Sequence, residues 1–239
     1  MHHKANNHQL LNSPYIAAVI GATGAIGAAF VDQLRLDPHC THVEMISRAH
    51  CSGFDLLDPA SIQAQAQVSS DRGPFSIIID ATGVLTIQNQ GPEKSLASVN
   101  AEQLLHSLQL NTIGPAMVLR CFAPLLARGP AIYAKLSARV GSIADNKKGG
   151  WYGYRASKAA FNMVLHTAAI ELQRKNPELR VVALQPGTVR SNLSLPFAHG
   201  VSHLLEPAES VSGMLAALRM LPARAGAHFI DYKGEDIPW

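Results

Sequence analysis

The chain has 239 residues, 47% hydrophobic and only 15% charged, with a formal net charge of +3. Abundant apolar residues with few charges exclude intrinsic disorder, whose sequences cannot bury enough apolar surface to fold. Three cysteines and 18 glycines without a G-X-Y period exclude a disulfide scaffold and a collagen-like rod, and a small net charge with no basic block longer than Lys147-Lys148 argues against nucleic-acid binding.

Residues 1–14 read as a polar, loosely ordered tail, followed by one domain over residues 15–239 with no internal repeat or long linker. No Asp, Glu, Lys or Arg occurs from Ala5 to Val31, which resembles a membrane segment. Glycines three apart, Gly21, Gly24 and Gly27, interrupt that run and do not match the G-x-x-x-G spacing of membrane helices. A buried strand turning into a helix fits better, so no membrane association is expected. Short apolar runs at residues 16–20, 43–46, 75–80, 131–136, 180–184 and 228–230 predict strands. Between them, residues 25–36, 59–69, 101–127, 152–175 and 207–221 have helical length and pattern. Alternating β and α elements predict a three-layer, doubly wound α/β (Rossmann) fold with a mostly parallel sheet of about seven strands. The strand runs lack period-two alternation, as expected where both faces are buried. Asp58 before Pro59 predicts a helix N-cap.

The run Ala18-Val19-Ile20-Gly21-Ala22-Thr23-Gly24-Ala25-Ile26-Gly27 places small residues between the first strand and first helix. Small residues there let backbone N–H groups approach a pyrophosphate at the helix N-terminus. About 20 residues further on, where an acid would grip a ribose hydroxyl, the chain has Ser47-Arg48. An arginine can pair with a 2′-phosphate instead, which favours NADP(H) over NAD(H). Asp55 is free either to accept from an adenine amino group or to satisfy loop N–H groups, and Asp80-Ala81-Thr82-Gly83 ends a strand with small residues suited to a cleft wall. Tyr154 and Lys158, at i and i+4, share a helix face, and a nearby ammonium would lower the phenol pKa toward a range useful for proton transfer.

With these residues in place, the chain resembles the short-chain dehydrogenase/reductase family over nearly its whole length. The match runs through the glycine turn, Asp55, Asn111 in Leu110-Asn111-Thr112-Ile113-Gly114-Pro115, Tyr154, Lys158 and the Pro186-Gly187-Thr188-Val189 turn. The segments from Leu136 to Ile143 and Gly149 to Tyr152 are similar to sniffer-like and C-factor-like carbonyl reductases. The resemblance implies that Tyr154 is the acid/base, that Lys158 binds ribose and tunes Tyr154, and that Asn111 holds a relay water. It implies cofactor contacts at Gly21, Thr23, Gly24, Ala25, Ile26, Ser47, Arg48, Asp55, Leu56, Ala81, Thr82, Gly83, Asn111, Tyr154, Lys158, Pro186, Gly187, Thr188, Val189 and Ser191, with no metal.

The sequence departs from the family pattern in three places. Its glycine spacing is G-x-x-G-x-x-G, with Ala25 at the usual middle glycine. Asp80-Ala81-Thr82-Gly83 replaces Asn-Asn-Ala-Gly. Ala138 stands where the family carries its catalytic serine, leaving Ser137, which ends the strand, preferred over Ser142. Residues 192–206 have the character of a substrate lid, with His199 and His203 read as loop residues.

The leading expectation is therefore an NADPH-dependent carbonyl reductase or alcohol dehydrogenase acting on a small molecule. A nucleotide-sensing or signalling protein on the same fold is the alternative that Ala138 motivates. A Ser–Lys hydrolase using Ser157 or Ser137 with Lys158 is disfavoured, because Ser157 and Lys158, adjacent on a helix, point apart. Odd, unspaced cysteines predict a reducing, cytoplasmic setting. The apolar helices at 101–127 and 152–175 predict a subunit interface, and hence a homodimer or homotetramer.

Overall fold

A computed structural model describes residues 11–197 and 204–239. Its six strands are β1 (Tyr15–Ile20), β2 (Cys40–Ile46), β3 (Ile77–Asp80), β4 (Ala131–Leu136), β5 (Leu179–Gln185) and β6 (His228–Asp231). They form one sheet in the order β2-β1-β3-β4-β5-β6, and every strand pairing is parallel. The helices are α1 (Ala25–Arg35), α2 (Pro59–Ser70), α3 (Ala101–Leu108), α4 (Gly114–Phe122), α5 (Tyr152–Gln173) and α6 (Pro207–Met220).

Alternate residues of each central strand serve two separate cores. Ala17 and Val19 of β1, Ile132 and Ala134 of β4, and Val182 and Leu184 of β5 face the α1–α6 layer. Ala18 and Ile20, Ala131 and Tyr133, and Val181 and Ala183 face the layer containing α2, α4 and α5. Burial on both faces explains the unbroken apolar runs. Leu11, within the expected tail, is buried against the first core.

Two expectations are corrected. Among the described residues the sheet has six strands, not about seven. Residues 47–58, between β2 and α2, contain only turns, and a further parallel strand needs a crossover of roughly a dozen residues in addition to its own length. The helix expected over 101–127 is broken into α3, a π-turn at Gln109–Ile113, α4 and a 3₁₀ turn at Ala123–Leu125. Pro115 lacks the N–H that an α-helix would direct to the Asn111 carbonyl, and its ring crowds that carbonyl. The chain accommodates the clash by widening to a π-turn in which Gly114 N–H bonds to Gln109 O. Asn111 thus sits at the kink, a position where π-turns recur at functional sites.

Asp58 caps α2 as expected, accepting from Ala60 N at 2.9 Å. Among the described residues no helix is long and apolar enough to cross a membrane. Cys40, Cys51 and Cys121 are all unpaired.

Candidate active site

The carboxyl ends of β1, β3, β4 and β5 open into two adjoining clefts. At the first, β1 turns sharply at Gly21, whose φ of +82° favours glycine and whose N–H bonds to Ile46 O at 2.8 Å. Gly27, in the first turn of α1, lies so close that an added Cβ would sit 2.1 Å from Gly21 O. The N-cap of α1 is Gly24, with no side-chain cap and no acid in the first turn. The positive helix end is therefore left open for an anionic group.

The cleft above it, about 700 Å³, is lined by Thr23, Gly24, Ala25, Ile26, Gly27, Ala81, Thr82 and Gly83, and beyond them by Leu136, Ser137, Tyr154, Lys158, Pro186 and Ser191. Small residues, open helix N–H groups and a buried ammonium form a donor set that fits a dinucleotide diphosphate. An added Cβ on Gly83 would stand 3.2 Å from Lys158 Nζ and 3.4 Å from Asn111 Oδ1, so only glycine leaves this approach clear.

Ser47, Arg48, Asp55 and Leu56 do not line that cleft. Ser47 is buried and shares a 2.8 Å hydrogen bond with His50 Nδ1. Arg48 is exposed just beyond β2, on the sheet edge where Ile46 O receives the Gly21 N–H. Asp55 Oδ1 accepts from Leu57 N at 2.9 Å, and Leu56 packs half-buried on the second core.

Helix α5 carries Tyr154 and Lys158 one turn apart, with Lys158 Nζ 5.5 Å from the Tyr154 ring centroid. Lys158 Nζ donates to Leu136 O at 3.3 Å. Burial brings the Lys158 pKa down to about 7, helped by the Lys135 ammonium and opposed by Asp80. Burial pushes the Tyr154 phenol above its ordinary range. The expected lowering by the neighbouring ammonium is thus outweighed by desolvation, which holds Tyr154 in its proton-donating form.

The start of α5 is fixed from outside the helix. Trp151, its N-cap, has a left-handed φ of +55° and offers no side-chain cap. Glu93 supplies one: its backbone O accepts from Trp151 N at 2.5 Å and its Oε2 from Gly153 N at 3.0 Å. A carboxylate at the helix N-terminus satisfies orphan donors and suits the dipole. An added Cβ at Gly153 would lie 2.9 Å from Glu93 Oε1, so glycine admits the carboxylate.

Asn111 is buried, with its Oδ1 accepting from Val84 N at 2.9 Å and its Nδ2 donating to Val84 O at 3.0 Å. It clamps the chain just after Gly83. Ser137 lines both clefts, and its hydroxyl donates to Asn162 Oδ1 at 2.7 Å. Ser142 lines neither; it donates to Pro238 O and accepts from Asp145 N at 3.0 Å. Ala138 lines the second cleft. Ser157 is buried toward α3, donating to Tyr154 O at 2.9 Å and accepting from Ser107, away from both clefts.

The second cleft, about 560 Å³, is walled by Trp151, Tyr154, Val189, Leu193 and Phe197, with Gly187, Thr188 and Ser191 on the β5 side. Trp151 meets Tyr154 and Phe197 edge-on, with ring centroids at 6.1 and 5.5 Å. Leu193 and Phe197 belong to the expected lid, whereas His199 and His203 lie outside the described residues. Among the described residues no cluster of His, Cys, Asp or Glu could hold a metal ion.

Sequence reasoning missed Glu93, Trp151 and Lys135. Lys135 pairs in register with Asp80 and forms a buried 3.1 Å ion pair with it. A lysine inside an apolar strand run was the available signal, because a buried lysine demands a partner. Glu93 left no such signal, since its role depends on a loop meeting a helix 60 residues later.

The buried ammonium makes stability depend on pH. Lys158 titrates at about 7 in the fold against 10.5 when unfolded, so the unfolded chain binds more protons between those values and stability rises with pH there. Tyr15, Tyr133 and Tyr154 act oppositely above 10.0, since burial keeps them protonated while the unfolded chain ionises. Thermal unfolding of cofactor-free protein should show Tm climbing from about pH 7 to about pH 10 and then falling. A Tm flat over that interval would contradict the buried ammonium.

The family described as short chain dehydrogenase matches residues 15–200. The C-signal protein of Myxococcus xanthus is 33% identical over 169 residues, covering 70% of this chain and 94% of its own. The 1-hydroxy-2-glutathionyl-2-methyl-3-butene dehydrogenase of Rhodococcus sp. is 28% identical over 188 residues, covering 78% and 79%. Among solved structures, NADPH-bound carbonyl reductase from chicken fatty liver superposes with a TM-score of 0.81 at 22% identity, over 95% of each chain. The chain belongs to the short-chain dehydrogenase/reductase family, oxidoreductases that interconvert CH–OH and C=O groups with a nicotinamide cofactor.

Proposed function

We propose that this protein is an NADPH-dependent carbonyl reductase in which Tyr154 delivers a proton to the substrate oxygen. The observation that carries the reading is the position of Tyr154: among the described residues it lines both clefts, and no other ionisable residue does. A cofactor along the first cleft and a carbonyl compound in the second would meet at its hydroxyl.

When bound, the nicotinamide supplies the hydride that reaches the carbonyl carbon. Tyr154, kept protonated by burial, donates to the oxygen as negative charge grows on it. The Lys158 ammonium stabilises the resulting phenolate and is placed to hold the cofactor ribose. Ser137 is our choice to orient the substrate oxygen in place of the residue missing at Ala138; turning its hydrogen away from Asn162 would free the hydroxyl to donate. Asn111 keeps residues 83 and 84 aligned along the cofactor cleft and supports a relay water. The β5 turn of Pro186, Gly187, Thr188 and Val189 is suited to the nicotinamide amide, with Ser191 toward the pyrophosphate. Arg48, exposed at the end of β2 beside the glycine turn, provides the preference for a 2′-phosphate, with Ser47, Asp55 and Leu56 around the adenosine end. The sensor reading is not adopted, because a sensor has no use for a proton donor at the meeting point of two clefts.

The outer faces of α4 and α5 support a self-association. Met163, Ile170 and Ile113 are exposed there, beside a groove of about 820 Å³ that includes Met117, Val164, Ala168 and Leu172. We assign this surface to a homodimer or homotetramer, and the unpaired cysteines to a reducing cytoplasm. Sedimentation at micromolar concentration should give an oligomer; a clean monomer would remove the assignment.

Across a panel of aldehydes and ketones, Tyr154→Phe should lower NADPH oxidation by about 10²-fold or more while NADPH still binds. Full turnover by that variant would refute the role. Arg48→Asp should reverse the ratio of kcat/KM for NADPH over NADH by about tenfold or more, since charge-assisted contacts to the phosphate are lost. An unchanged ratio would exclude Arg48 from cofactor selection.

A further inference from the structure

Lys135 is 1% exposed and Asp80 is fully buried, yet both are ionisable and both lie beneath the cofactor cleft. The Lys135 ammonium is surrounded by acceptors: Asp80 Oδ1 at 3.1 Å, Thr82 Oγ1 at 3.2 Å, Asp80 O at 3.5 Å, and Thr82 O. Asp80 Oδ1 in turn receives Thr82 N at 2.9 Å and the Thr82 hydroxyl at 2.6 Å. Residues 80–82 are therefore held by one ammonium reaching from β4. The next residue, Gly83, meets the second ammonium: a Cβ added there would stand 3.2 Å from Lys158 Nζ. Two buried cations thus meet neighbouring residues of one segment, and the Asp80 carboxylate is paired with the first of them. Asp80 Oδ2 has no hydrogen-bond partner among the described residues.

We propose that Lys135 is a positioning residue for the dehydrogenase site: its ammonium pins residues 80–82 along the cofactor cleft and occupies Asp80, so that Lys158 faces the cleft without a counter-ion. This assignment rests on the reading of Lys158 as the ammonium of the cofactor cleft. The charge count follows directly. Lys135 and Asp80 cancel, and the remaining positive charge on Lys158 is available to a phenolate at Tyr154. Without Lys135, the carboxylate would be left buried and uncompensated, and its nearest remaining cation would be Lys158. Asp80 would then draw that ammonium from Tyr154.

The groups facing Lys158 are Lys135 from β4, Asp80 from β3, Tyr154 from its own helix, and the uncharged Asn111 from the π-turn. Lys135 lowers the proton affinity of Lys158 and Asp80 raises it, Lys135 exerting the larger influence. The two single variants must therefore displace the titration of Lys158 in opposite directions. A pair with a merely structural role would weaken the fold in both variants without that opposition.

Two readouts follow the titration: the pH at which Tm of cofactor-free protein begins to climb, and the pH midpoint of NADPH affinity measured by fluorescence. Lys135→Met should move both upward, Asp80→Asn should move both downward, each by about one pH unit, and Lys135→Arg should restore the parental values. Displacement of the two singles in the same direction, or none, overturns the proposal. Should either single variant fail to fold, the other decides alone. The uncharged, hydrogen-bonding pair Asp80→Asn with Lys135→Gln covers the loss of both: its midpoint should also rise, because the larger influence has gone, and an unmoved value overturns the proposal. Parental protein that binds no NADPH would sink the cofactor reading, while the stability arm would still judge the pair.

Discussion

Two-sided burial of the parallel sheet is the constraint from which the rest of the molecule follows. Interior strand positions face one of two apolar cores, so a polar side chain there must be satisfied locally or lie at a strand end where the cores give way. Asp80 ends β3, Ser137 follows β4, Gln185 ends β5 and Ser47 follows β2. All these ends lie on one edge because every strand pairing is parallel. Polar chemistry thus collects at the carboxyl edge, where the crossovers also leave two clefts.

The helices complete that edge in different ways. Helix α1 contributes its open N-terminal backbone, and it can do so because Gly27 lets it sit against the Gly21 turn with no intervening Cβ. Helix α5 contributes side chains, and its registry is set by Glu93 and by a left-handed Trp151 rather than by a cap within its own sequence. Asn111 reaches the edge through a π-turn that Pro115 enforces. The open backbone end of α1 and the side chains of Tyr154 and Lys158 thereby line the same cleft.

The electrostatics of the site reflect the same burial. Desolvation strengthens the hold of the Tyr154 phenol on its proton and brings the Lys158 ammonium toward neutrality, so burial favours the uncharged form of each group. Lys135 and Asp80 add a neutral but strongly polar pair under the floor. In place of uncharged amides, the chain braces its cleft wall with an ion pair, which couples the geometry of the wall to the charge state of the site.

Much of this was legible in the residues themselves. Strand and helix positions followed from apolar periodicity, the anion turn from glycines after the first strand, and the Tyr154–Lys158 face from i, i+4 geometry, all of which depend on neighbours close in sequence. The sequence determined the α/β order, the glycine turn after the first strand and the shared helix face of Tyr154 and Lys158. Only the tertiary structure decided which serine reaches the clefts, because Ser137 and Ser142 differ in what distant Asn162 and Pro238 offer them. It also decided that the sheet has six strands among the described residues, that Glu93 caps α5, and that Lys135 finds Asp80. Each of these is a contact between segments far apart in the chain, and local pattern carries no record of where a buried polar group will find its partner.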